Sequence, residues 1–163
     1  MRHEHDIAVL VQRIYEVFPI SDVPVIKDPS WYSELMDLQP LIENKTWADC
    51  VKDPNLLSEL RYGFFFLPPN VQHYYLPALL CYVLTSPVSD ETRNQAWSKL
   101  SVFLYPPEWS IESIAKFDRT SKLFSGEQLS LIASALIHIK DIYPSDTEEI
   151  DIMLANYWLR YLE

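Results

Sequence analysis

Glycine is nearly missing from this chain: Gly63 and Gly126 are the two examples in 163 residues. Loops that wrap backbone amides around a phosphate need several residues free to take positive φ, so Gly-x-Gly-x-x-Gly and Walker-type sites are excluded. Cysteine is as scarce. Cys50 and Cys81 stand apart, without a Cys-x-x-Cys pair or a histidine at ligand spacing, which argues against structural zinc and for reduced, buried thiols. No apolar run is long enough to span a bilayer, and the opening Met-Arg-His-Glu-His-Asp lacks the charged-then-apolar layout of a secretion signal. A soluble, cytoplasmic protein without a cofactor is expected.

Bases are short too, 13 Lys and Arg against 23 Asp and Glu, for a net charge of −10. The first 85 residues hold eleven acids and six bases, residues 86–124 five of each, and residues 125–163 seven and two. Binding to nucleic acid or anionic lipid depends on Lys and Arg displacing counterions, so neither is an expected partner. A basic protein is. Marks of catalysis are missing as well: there is no Gly-x-Ser-x-Gly turn for a nucleophile, and no carboxylate spacing suggests a catalytic pair. The cluster His3-Glu4-His5-Asp6 reads as a solvated terminus rather than a metal site.

What the chain has in plenty is apolar surface, 48% hydrophobic and 13% aromatic residues, enough to build one domain over residues 1–163. The densest stretch runs from Gly63 to Thr85 and carries six aromatic rings. Exposed, it would leave too much apolar area wet, so it is expected to be the hub of the core. Asn70, after Pro68-Pro69, is the expected N-cap of a helix from Val71 to Leu84 that is apolar nearly all round, the pattern of an interior helix. Pro77 lies inside it. Its missing N–H and its ring predict a kink, or two short helices meeting near Leu76, and the bend is a candidate pocket lined by His73, Tyr74 and Tyr75.

The run Phe66-Leu67-Pro68-Pro69-Asn70, followed by Tyr74-Tyr75-Leu76-Pro77-Ala78, resembles the signature of a bacterial family of domains of unknown function. Trp47 upstream and Ser125-Gly126-Glu127-Gln128 downstream extend the resemblance over roughly residues 40–162. It implies a single bacterial domain and brings no activity with it.

Elsewhere the pattern is helical, punctuated by proline. Ile7, Leu10, Val11, Ile14, Val17 and Phe18 form one face of a helix over Asp6–Phe18, ended by Pro19. Asp28-Pro29 predicts a helix over Ser30–Leu38, with Trp31, Leu35 and Leu38 inward. Thr46 with Asp49, Asp53-Pro54, Asp90 and Ser125 with Gln128 each mark a further start, the last opening Gly126–Ile142. Phe64–Leu67 is expected as buried coil or helix continuation. Trp109, Ile111, Ile114 and Phe117 suggest a short helix, and Asp146 is the expected cap of a last helix docked by Ile150, Leu154, Tyr157, Trp158, Tyr161 and Leu162. His138 is expected at the edge of the core. The strings around Pro68-Pro69 and Pro106-Pro107 echo one another, which two helix stops explain without a repeat.

These patterns predict an all-α domain, an irregular bundle of about seven to eight helices around a buried, proline-kinked central helix. The acidic surface, the abundant Tyr and Trp and the missing catalytic motifs point to a protein-binding inhibitor, such as an immunity protein that neutralises a bacterial toxin. Its candidate contacts are Glu34, Asp37, Glu43, Glu148, Glu149 and Asp151. An adapter subunit, or an enzyme with its site at the Pro77 bend, are the alternatives.

Overall fold

A computed structural model describes residues 2–27, 33–87, 89–107 and 110–162, without the side chains of Arg2, His3 and Lys116. Nine α-helices, and no strand, occur among the described residues: α1 Arg2–Val17, α2 Ser33–Ile42, α3 Trp47–Lys52, α4 Pro54–Gly63, α5 Pro69–Thr85, α6 Glu91–Leu104, α7 Ile111–Ser121, α8 Gly126–Ile142 and α9 Thr147–Asn156. The count slightly exceeds expectation. No helix among them is long and apolar enough to cross a membrane.

The hub is α5, as its composition requires. Every residue from Val71 to Leu84 is buried except His73, which is half-buried, and α1, α3, α4, α6 and α8 pack around it. Each fully buried Leu or Val there stabilises the fold by ~1.5–3 kcal/mol. That burial overrides the proline: α5 continues through Pro77 as one helix, so the expected meeting of two helices near Leu76 does not occur. Nor is Asn70 the cap. Pro68 holds that position and Pro69 is the first helical residue, where a missing N–H costs little because the helix has no carbonyl four residues back to receive it. The Gln72 side chain ties this start to the preceding turn by donating to the Phe64 carbonyl at 3.0 Å.

The local start signals hold where the cap and its target are close in sequence. Thr46 with Asp49 and Ser125 with Gln128 make reciprocal capping boxes, while Asp53 and Asp90 accept from the first amides of α4 and α6. Other boundaries differ. Helix α1 begins at Arg2, ahead of the expected Asp6, so Glu4, His5 and Asp6 are helical, and they are exposed, in keeping with the solvated terminus expected. Helix α2 runs past Leu38 and through Pro40, drawn on by Ile42, which is buried; Asn44 at φ 61° then turns the chain. The Asp28-Pro29 start and Trp31 lie outside the described residues. Gly63 is needed where α4 meets α2: a Cβ there would stand 2.6 Å from Leu38 Cδ2.

Four apolar residues are found at the surface, two of them, Phe65 and Phe66, from a segment expected inside. Phe64 is buried in a 3₁₀ turn, Phe64–Phe66, but Phe65 and Phe66 are exposed, because consecutive residues of a tight turn cannot all point inward. Ser110 caps α7, and Ile111 and Ile114 on that helix face solvent. Asp146 precedes α9 without capping it; its Oδ2 accepts instead from the indole of Trp97 at 2.8 Å. His138 is half-buried, as expected. The two Pro-Pro pairs are used differently, one opening α5 and the other following α6, which fits helix punctuation.

Candidate functional site

The ends of several helices leave a groove that the core does not fill. The end of α6 supplies Val102 to Leu104, α7 supplies Ser113, Phe117, Thr120 and Ser121, α9 supplies Glu148, Glu149 and Ile152, and Phe65, Phe124 and Trp158 complete much of the lining. Its volume is about 870 Å³, within the size range of ligand sites. Ser113, Phe117, Thr120 and Ser121 share a face because they recur at helical spacing along α7. The same spacing turns Ile111 and Ile114 outward.

Polar atoms in the floor are already occupied in holding the walls. Ser121 Oγ donates to the Phe117 carbonyl and accepts from the Tyr157 hydroxyl at 2.7 Å, and the Trp158 indole donates to the Leu104 carbonyl at 2.8 Å. The Phe117 ring stands edge-on to Tyr157 at 4.8 Å and to Trp158 at 6.2 Å. What remains is an apolar, aromatic floor. Burial pushes the Tyr157 phenol up to about 12, so it stays protonated at neutral pH.

The rim has a different chemistry. Asp146, Glu148 and Glu149 line it, and no Lys, Arg or His does among the described side chains. Asp146 accepts from Trp97 and, through Oδ1, from Ser145. Glu148 and Glu149 are exposed, lie in the first turn of α9 where the helix dipole favours negative charge, and enter no hydrogen bond or ion pair among the described residues. The Lys99 ammonium lies 5.5 Å from the centroid of the Phe65 ring without lining the groove.

The other expected contacts are scattered. Glu34 and Asp37 line a smaller hollow of about 270 Å³ with Glu59 and Tyr62, Glu43 is exposed just beyond α2, and Asp151 pairs with Lys140 at 2.6 Å beside a shallow depression of about 720 Å³ along α9. Tyr74 and Tyr75 pack edge-on with ring centroids 4.8 Å apart, but His73 does not join them. The Tyr74 hydroxyl donates to the Ile20 carbonyl at 2.6 Å, and that of Tyr75 lies 2.9 Å from the Lys45 carbonyl, so both fasten loops to α5. His73 packs its ring on Phe124 at 4.3 Å, and none of the three lines these cavities. Burial lowers the His73 pKa, against smaller opposing effects of Gln128 and the Leu123 carbonyl.

Catalytic nucleophiles find no support in the thiols. Burial pushes Cys50 and Cys81 up to about 12, which keeps both protonated and inert. Among the described residues no three His, Cys, Asp or Glu side chains form a group able to hold a metal. Sequence reasoning singled out Glu148 and Glu149 but missed the apolar part of the groove. The mixed face of α7, alternating serine and threonine with Phe117, was the one available sign. Comparison with family models, with curated proteins and with solved structures returned no match.

Proposed function

We propose that this protein binds and neutralises a basic protein partner in the cytoplasm, in the manner of an immunity protein that holds a bacterial toxin inactive. One observation carries the reading: an open apolar groove is edged by three carboxylates, and no described base lines it. Apolar area supplies affinity, while unneutralised acids speed capture of a basic surface and reject acidic ones. The net charge of −10 extends that field beyond the groove. The alternative of a catalytic pocket at Pro77 is less favoured, since the Tyr74 and Tyr75 hydroxyls are committed to main-chain carbonyls.

The test is protection in cells. Expressed beside the product of a neighbouring gene that arrests growth, the intact protein restores growth and co-purifies with that product, and Glu148→Lys with Glu149→Lys weakens both effects. Failure of the intact protein to protect, or full protection by the charge-reversed protein, overturns the reading.

A further inference from the structure

The groove constrains what part of a partner can enter it. We infer that its occupant is a basic amphipathic helix of the partner protein, with aliphatic or aromatic anchors against Phe117, Ile152 and Trp158 and with Lys or Arg beside Glu148 and Glu149. The inference rests on the protein-binding reading above and specifies the element that is bound.

Three features lead there. The first is the absence of a strand among the described residues, so a partner cannot be held there by adding a strand to a sheet edge; side chains must do the work. The second is length. Groove-lining residues of α7 run from Ser113 to Ser121, which at 1.5 Å per residue is ~12 Å, room for about two turns of a helix lying alongside. Such a helix presents anchors at i, i+3 or i+4, and i+7, a stripe that matches the apolar floor.

Charge is the third. Glu148 and Glu149 project from one turn of α9 with no described partner of their own, so a cation brought to them need not displace an existing ion pair. A helix with lysines flanking its apolar stripe satisfies floor and rim together. An acidic helix fails at the rim, and a purely polar one fails at the floor. Before binding, the mouth also exposes Val102 at 61% and Phe65 at 40%, apolar area that such an occupant would cover.

A synthetic amphipathic helix of lysine and leucine, about fourteen residues long, serves as the probe, read by amide and indole chemical shifts of the nitrogen-labelled full chain. The expected shifts fall on Ser113, Thr120, Glu149, Ile152 and the Trp158 indole. Glutamate in place of lysine, or serine in place of leucine, abolishes them. Val102→Arg, at an exposed position that leaves the core untouched, weakens binding about tenfold or more, as does Ser113→Trp, which fills the groove; thermal unfolding of each variant confirms that it is folded. Shifts spread over Glu34, Asp37 and Glu43 instead, indifference to both substitutions, or occupancy by dodecylammonium but not by the peptide would overturn the inference. The two readings fail separately. Protection against the toxin that survives Val102→Arg and Ser113→Trp removes the groove as the contact while leaving protein neutralisation intact, whereas groove binding of the probe without any protection in cells does the reverse.

Discussion

Helices α5 and α7 both carry large apolar side chains, the first with no charged residue and the second with four, and they serve opposite ends. In α5, 13 of 17 residues are buried, and neighbours cover it on every side. In α7, none of the described side chains before Ser121 is buried, and Ile111 is 89% exposed. One helix has its apolar surface satisfied within the fold. The other keeps apolar side chains on both sides, some over the groove and some in water, and that unsatisfied surface is what an external partner can use.

The strongest way to break this contrast is to truncate one side chain in each helix. Leu79→Ala removes a fully buried side chain at the hub and is expected to cost ~2–5 kcal/mol in urea unfolding. Ile114→Ala in α7, at 42% exposure, is expected to stay within about 0.5 kcal/mol. Comparable losses would mean that α7 is as much a part of the core as α5.

How far this was legible follows the same division. The starts at Thr46, Asp53, Asp90 and Ser125 could be read because the cap, its target amide and the apolar run lie within a few residues. Asp146 misled for the opposite reason: its carboxylate is taken by Trp97, 49 residues away, and nothing local to α9 announces that. Burial of α5 was legible from apolar content alone. Its passage through Pro77 was not, because whether a proline breaks a helix depends on how tightly neighbours hold the turn around it. The groove draws on residues from Phe65 to Trp158, brought together from several helices far apart in the chain, which no local spacing encodes. Glu148 and Glu149 were found through charge; Val102, Ser113 and Ile152 carry no such mark.

The two glycines sharpen the comparison between filled and open regions with a smaller effect. Gly63→Ala drives a methyl to 2.6 Å from Leu38 Cδ2, and because Leu38 is itself buried the side chain has little room to yield. Overpacking outweighs the gain in helix propensity, for a net loss of about 1–2 kcal/mol. Gly126→Ala meets nothing within 4 Å at the exposed first residue of α8 and is expected to be neutral or to stabilise by up to about 1 kcal/mol. Thermal unfolding of the pair separates the two signs.

The smallest expected effect lies where the filled and open regions meet. His73 belongs to α5, yet its ring packs on Phe124, a residue of the groove lining, and its Nε2 is buried without a hydrogen-bond partner. Burial holds its folded pKa below the ordinary value of 6.5, so in the unfolded chain the ring takes up a proton before it does so in the fold. Between those two values the unfolded state binds more protons, and stability therefore rises with pH. The contribution is fully present above about pH 6.5 and is lost progressively as pH falls toward the folded pKa. His73→Leu should flatten the dependence of urea unfolding on pH across that window while leaving the acid limb, set by carboxylates such as Asp49 and Asp90 whose pKa values are lowered by their capping hydrogen bonds and, first for Asp90, by the Tyr82 hydroxyl, unchanged. An unchanged slope below pH 6.5 in that variant would show that His73 is protonated in the fold as readily as outside it, and the floor beneath Phe124 would then be wetter than its packing implies.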